Sequence, residues 1–321
     1  MEIAMNATTI MLAPSKGPRP PRQLLALRLA HRVLGAVAPG VTSLVAERFW
    51  FTPPARRSNA GIEAFLDSGE LLQLRVGCAH VEGRAWGEGP VALVMHGWGS
   101  ESGRLQAVIE ALVANGMRVV AFDAPGHGRS GPSEWGPRRA HLLEFGRTLL
   151  AAEHAFGPLH ALVAHSGGCT AAAWAMQQGL RTRRVVLLAP LARPMDYAAR
   201  FQRLLGFSDA VMRRWLGRAE RRLGFAWDEL DMRLTPSRVP VPPTLVVHDR
   251  DDTDTPWTDG EAVAEHWPDA RLLSTQGLGH RGVLKDAGVL AELAAFLRAS
   301  AAVDALPAPG REPSQGRRAG R

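Results

Sequence analysis

The segment Leu162-Val163-Ala164-His165-Ser166-Gly167-Gly168 decides how the chain is read. The apolar run that enters it, Ala161 to His165, has the length of a buried strand, and the Ala-rich stretch from Gly167 to Gln178 reads as a helix. Ser166 stands at the junction, with a small residue, Ala164, two positions before it and Gly168 two positions after. A strand that turns directly into a helix needs small neighbours, because the turn is sharp and strained. Its apex side chain then projects clear of the sheet.

Working outward, short apolar runs recur at Leu71 to Val76, His80 to Gly87, Val91 to His96, Arg118 to Asp123, Val185 to Ala189, Thr244 to His248 and Arg271 to Ser274. Helical patterns alternate with them near Arg104 to Asn115, Arg138 to Phe156, Gly260 to Trp267 and Leu284 to Arg298. Such alternation predicts an α/β fold, a mostly parallel central sheet flanked by helices. The stretch between Pro190 and Thr244 is far too long for an ordinary connection, commonly about 2–6 residues. Within it Met212, Trp215, Leu216, Ala219 and Leu223 keep helical spacing behind Ser208 as N-cap, which predicts a small helical cap over 191–240. The core then comprises 61–190 and 241–299. Before it, Arg22 to Ala38 reads as an amphipathic helix in an extension, 22–60, that packs on the core. Residues 1–21 hold four prolines and read as a flexible leader, and 300–321 as a disordered tail.

A serine hydroxyl is a poor nucleophile until a base takes its proton, and that base needs an acid to orient it. Both follow in the chain. Asp252 comes just after the run ending at His248, and His280 sits in Gly277-Leu278-Gly279-His280-Arg281 beyond a further strand. The order Ser166, Asp252, His280, each just after a strand, resembles the α/β-hydrolase family, and the resemblance covers roughly Leu71 to Arg298. It departs mildly where Ala164 replaces the usual first glycine of the serine turn. Asp252 is chosen by its distance from Asp249, which stands at a family glycine position; Asp251 is the second choice and Asp196 a distant third.

The resemblance implies an oxyanion hole made by the backbone N–H groups of Gly167 and Trp98, the latter within His96-Gly97-Trp98-Gly99-Ser100. It also implies that Phe122-Asp123-Ala124-Pro125-Gly126-His127-Gly128 is a structural loop. The GxGxxG pattern of Gly126, Gly128 and Gly131 is not a dinucleotide fingerprint, because Pro132 and Trp135 prevent it opening into a helix. The activity implied is cleavage of a carboxylic ester or related acyl substrate through an acyl-enzyme. Other chemistries on the same three residues (thioesterase, carbon–carbon hydrolase, lyase, acyltransferase) and a non-turnover binding protein stay open. His96, Gly97, His165 and Trp215, with Phe201, Leu204 and Leu205 of the cap, are the expected pocket lining. His127, His141, His154, His160 and His266 lack such context.

The 321 residues are 46% hydrophobic and 21% charged, enough apolar material for a packed core. The net charge of +7 is almost all arginine and is dispersed, so no nucleic-acid stripe is read. Cys78 and Cys169 show neither disulfide nor zinc spacing and read as buried thiols, and the aspartates at 249, 251, 252 and 254 lack the glycine and glutamate of a calcium loop, so those other than Asp252 read as solvated turn residues. No cofactor and no metal are expected. A cytoplasmic protein acting on a small molecule is the default, with the basic N-terminal helix also suited to weak contact with an anionic membrane surface.

Overall fold

The computed structural model describes residues 21–54 and 58–298. The expected leader, apart from Pro21, and the expected tail lie outside the described residues.

Eight strands form one sheet: β1 Glu70–Val76, β2 Ala79–Trp86, β3 Val91–Met95, β4 Arg118–Phe122, β5 Leu159–His165, β6 Thr182–Leu188, β7 Thr244–Asp249 and β8 Ala270–Thr275. Their order is β1-β2-β4-β3-β5-β6-β7-β8. β1 and β2 pair antiparallel, as do β2 and β4, and every other pair is parallel. The inner strands are near-continuous Val, Leu and Ala because helices cover both of their faces. On one face Met95, Phe122, Leu162 and Leu187 pack against Phe145 and Leu149 of α5 (Leu142–Phe156) and Ala172 of α6 (Gly167–Gln177). On the other, Val94, Val119, Val163 and Val247 meet Ile109 and Leu112 of α4 (Gln106–Ala114) and Leu293 of α12 (Ala287–Arg298). This is the α/β-hydrolase fold, with β5 at the sheet centre.

The stretch expected to form the cap is a helical insertion between β6 and β7: α7 (Pro194–Leu205) and α8 (Asp209–Leu223), followed by short turns and α9 (Thr235–Arg238). Ser208 accepts the Val211 N–H and caps α8, while Gly206 and Gly224 end α7 and α8 in left-handed conformation. The cap is anchored to the core by Asp259 at the start of α10 (Trp257–His266). Its buried carboxylate accepts from Ala192 N–H and Tyr197 Oη–H.

The extension differs from its expected placement. Pro39 does not end the helical region; it opens a second helix, as proline at N1 can. The result is a hairpin of α1 (Arg22–Val37) and α2 (Pro39–Trp50), followed by α3 (Ala60–Asp67). The hairpin sits chiefly on the cap rather than on the sheet. Glu47 pairs with Arg218 of α8, Arg28 Nε donates to Leu204 O at 2.6 Å, and Gly35 lies close against Val211. Of the leucines of α1, only Leu24 is buried.

Trp215, expected to line the pocket, is instead fully buried between the cap and the extension and does not line the cavity that holds Ser166. Its ring lies 5.3 Å from Trp50, 5.7 Å from Trp227, 6.1 Å from Phe51 and 6.4 Å from Phe201. Phe201 and Leu205 share that core. A helix stripe packs before it lines, and here the extension supplies the opposing surface. Cys78 is exposed, not buried, because it lies in the tight β1–β2 turn, whereas Cys169 is buried. Truncating Trp215 to alanine is expected to cost about 3–5 kcal/mol, read as a lowered denaturation midpoint; a loss under about 1 kcal/mol would show that cap and extension do not share a core.

Candidate active site

The parallel strands end at one edge of the sheet, and the named residues gather there. Ser166 follows β5 with φ 54° and ψ −126°, a strained backbone for a residue with a side chain. Its N–H donates to Leu188 O of β6 at 2.9 Å, and Cys169 N–H donates to Ser166 O at 2.9 Å. The turn also requires bare neighbours: a Cβ on Gly97 would fall 2.8 Å from Ser166 Cβ, and one on Gly168 would fall 2.4 Å from His96 O.

His280 lies in α11 (Gly279–Gly282), and its Nδ1–H donates to Asp252 Oδ2 at 2.8 Å. The other carboxylate oxygen, Oδ1, accepts the N–H groups of Asp254 and Thr255 at 2.8 and 2.9 Å. Thr255 Oγ1 lies 3.0 Å from Oδ2 and His248 Nε2 3.3 Å from it, so the acid is held from several directions. Burial alone would raise the Asp252 pKa. Hydrogen bonds from His248 and His280 outweigh it and hold the carboxyl well below the usual carboxylate range. Thr255 and His248 carry no signal in the sequence, since a threonine in an Asp-rich turn and a histidine closing a strand are both common.

The competing aspartates have other work. Asp249 is buried, not a solvated turn residue, and its Oδ2 accepts from Thr275 Oγ1–H at 2.7 Å and Leu278 N–H at 3.0 Å. Asp251 accepts Gly277 N–H at 3.1 Å. Both tie down the loop that delivers His280. Asp196 pairs with Arg193 at 3.0 Å, away from the histidine.

Gly167 and Trp98 bring their backbones together, with Trp98 N 3.7 Å from where a Gly167 Cβ would stand. Among the described residues neither N–H has a hydrogen-bond partner. Their loop is pinned by two imidazoles. His96 Nδ1–H donates to Gly97 O at 2.8 Å while its Nε2 accepts Ala124 N–H at 3.0 Å. His127 Nε2 accepts Gly99 N–H at 3.0 Å, and its Nδ1 lies 3.1 Å from Pro125 O. His96 is therefore a strut beneath the loop and not pocket lining, because it is fully buried. His127, which the sequence offered no reason to select, does the same from the opposite side.

Ser166, His280, Gly97, Trp98, Gly167 and His165 all line one cavity of about 680 Å³. His165 Nε2–H donates to His280 O at 3.1 Å, with the two rings 4.7 Å apart, and burial keeps its pKa well below the ordinary value. Tyr197, Leu223, Phe225 and Trp227 of the cap and Trp50 and Phe51 of the extension form one side of the wall, and Arg104, Glu110, His141, Arg281 and Lys285 contribute polar groups elsewhere on it; Phe201, Leu204 and Leu205 are not in it.

The family described as serine aminopeptidase, S33, matches residues 90–266, more than half of the chain, and a TAP-like protein family matches residues 227–306. The chain belongs to this α/β-hydrolase family. Hydrolase chemistry on this fold follows from that membership. No curated protein sequence matches the chain. Among solved structures, an esterase from Pyrococcus furiosus is 18% identical, with TM-score 0.56, over 77% of this chain and 98% of its own. The Butyrivibrio proteoclasticus esterase Est1E, solved with ferulic acid bound, is 17% identical, with TM-score 0.55, over 71% and 96%. The thioesterase domain from the curacin biosynthetic pathway is 22% identical, with TM-score 0.51, over 72% and 99%. At these identities the likeness is one of fold.

Both struts work only as neutral rings, since each Nε2 is an acceptor. Burial lowers the pKa of His96, and burial with the neighbouring His96 lowers that of His127 to about 3. Between that value and about 6.5 the unfolded His127 ring takes up a proton that the folded one refuses, so stability falls as pH drops, by up to about 1.4 kcal/mol per pH unit, and the lowered His96 acts in the same direction. In His127→Gln the slope of unfolding free energy against pH between about 4 and 6 should decrease by one proton's share; an unchanged slope would mean that His127 is not held neutral.

Proposed function

We propose that the hydrolase cleaves carboxylic esters or related acyl substrates with Ser166 as nucleophile, His280 as general base and Asp252 as the acid that orients it. The observation that carries this reading is the 2.8 Å bond from His280 Nδ1–H to Asp252, beside a strained Ser166 in the same cavity. With Nδ1 committed to the carboxylate, Nε2 is the nitrogen left to take the serine proton. Ser166 Oγ attacks the carbonyl carbon, and the N–H groups of Trp98 and Gly167 bind the oxygen as it becomes negative, each such donor contributing about 2.7–4 kcal/mol. His280 then gives its proton to the leaving oxygen. Water, activated by the same nitrogen, attacks the acyl-serine and releases the acid.

The apolar side of the cavity, Leu223, Phe225, Trp227 and Trp50, supports an acyl group or aromatic acid as the part of the substrate bound there, despite the family's aminopeptidase name. Fluorophosphonate labelling of the wild type at Ser166, absent in Ser166→Ala and His280→Ala, tests the nucleophile. Turnover of p-nitrophenyl esters should fall at least about 10⁴-fold in both variants, and about 10⁴-fold in Asp252→Asn. A folded wild type that neither labels nor turns over esters, or a Ser166→Ala variant that still does, refutes the assignment. Cleavage of aminoacyl nitroanilides in preference to the esters would move the substrate class to peptides.

A further inference from the structure

The hairpin of α1 and α2 turns its apolar side away from the protein. On α1, Leu25, Leu29, Val33 and Val37 recur every four residues and so share one face. Leu29 is 63% exposed and Val37 81%, and Val41 and Leu44 of α2 continue the surface, with Val41 at 65%. The side of α1 that meets the cap is narrow and partly polar: Arg28 and His31 bond to the carbonyls of Leu204 and Leu205, and Gly35 permits close approach to Val211. Leu24 and Leu27 join these contacts at the N-terminal end, so the helix is held while Leu25, Leu29, Val33, Leu34 and Val37 stay outside, over a length of about 24 Å.

The charge on this surface has one sign. The exposed polar side chains of residues 22–50 are Arg22, Gln23, Arg32 and Arg48, and the one carboxylate of the stretch, Glu47, is buried in its pair with Arg218. An apolar face whose own exposed charges are all arginine suits an interface that is greasy and anionic together. We propose that the α1–α2 hairpin docks the protein on an anionic lipid bilayer, its apolar face at the headgroup boundary and its arginines reaching lipid phosphates. A second copy of the same face would set arginine against arginine, whereas anionic lipid complements it. Docking also has a geometric consequence, since Trp50 and Phe51 at the end of α2 form part of the cavity wall. The inference stands apart from the chemistry assigned to Ser166.

Flotation of the full-length protein with vesicles tests it. The protein should float with phosphatidylcholine vesicles containing phosphatidylglycerol, much less with phosphatidylcholine alone, and less as salt rises. Leu29→Glu with Val33→Glu should abolish flotation, and because both positions are exposed the melting temperature should not change. Arg22→Gln, Arg32→Gln and Arg48→Gln together should weaken partitioning on the order of a hundredfold. No flotation with anionic vesicles, or undiminished flotation of the glutamate variant, overturns the proposal. So does a wild-type dimer that the glutamate variant dissolves, which would assign the face to a second copy. Flotation seen only after deletion of residues 1–20 would assign it to that segment instead.

Discussion

Much of the molecule is arranged so that one residue can hold a backbone conformation it would otherwise avoid. A serine at φ 54° costs about 1–3 kcal/mol and persists only where its surroundings leave no alternative. Here β6 takes its N–H, the first turn of α6 takes its carbonyl, and two glycines remove the side chains that would collide with it. The buried parallel strands supply the rigidity, because Ala164 and Leu188 at their ends cannot shift without disturbing both faces of the sheet. A strained hydroxyl open to the cavity is what the proposed chemistry requires, and the fold sustains it from three sides.

Around this turn, polarity is spent on positioning. His96 and His127 hold the loop that carries Trp98, Asp249 and Asp251 hold the loop that carries His280, and Asp259 holds the start of the cap. Most of these groups are buried, where an unpaired polar atom costs about 1–3 kcal/mol, so each bond both satisfies its atom and fixes a loop. The electrostatic states differ by role. The imidazoles beneath the loop are kept neutral by burial, and Asp252 is kept ionised by its donors.

The strands and the residues at their ends were legible because they leave local marks: an apolar run, a small residue, a turn. The sheet agrees with the fold class read from that alternation, and its strand limits differ from the expected ones by a few residues at most. Side-chain partnership across the sheet leaves no such mark. His96 and His127 lie 31 positions apart in the sequence and act on the same short loop, and nothing in either neighbourhood announces it. Thr255 and His248 were invisible for the same reason, since their role is defined by Asp252 and not by their own neighbours. Asp249 was misjudged because a carboxylate near others reads as solvated, whereas three hydrogen-bond donors allow it to be buried.

Periodicity reported that α1 and α8 are two-faced, but not which face each would turn inward. For α8 the apolar stripe is buried, and Trp215 lies at the centre of the cap's own core. For α1 the larger part goes the other way: Leu24 and Leu27 with a glycine, a histidine and an arginine make the inner seam, and Leu25, Leu29, Val33, Leu34 and Val37 face out. The difference follows from supply. α8 already meets α2, whose Ala46 and neighbouring Phe51 complete an aromatic core with Trp215 and Trp227, so little inward apolar demand remains for α1. A helix most of whose large apolar residues are not needed within the fold, yet which is fixed by its seam, is poorly explained by folding alone. Its outward face and the cavity wall at Trp50 belong to one continuous hairpin, so whatever occupies that face also sets the direction from which the pocket is approached.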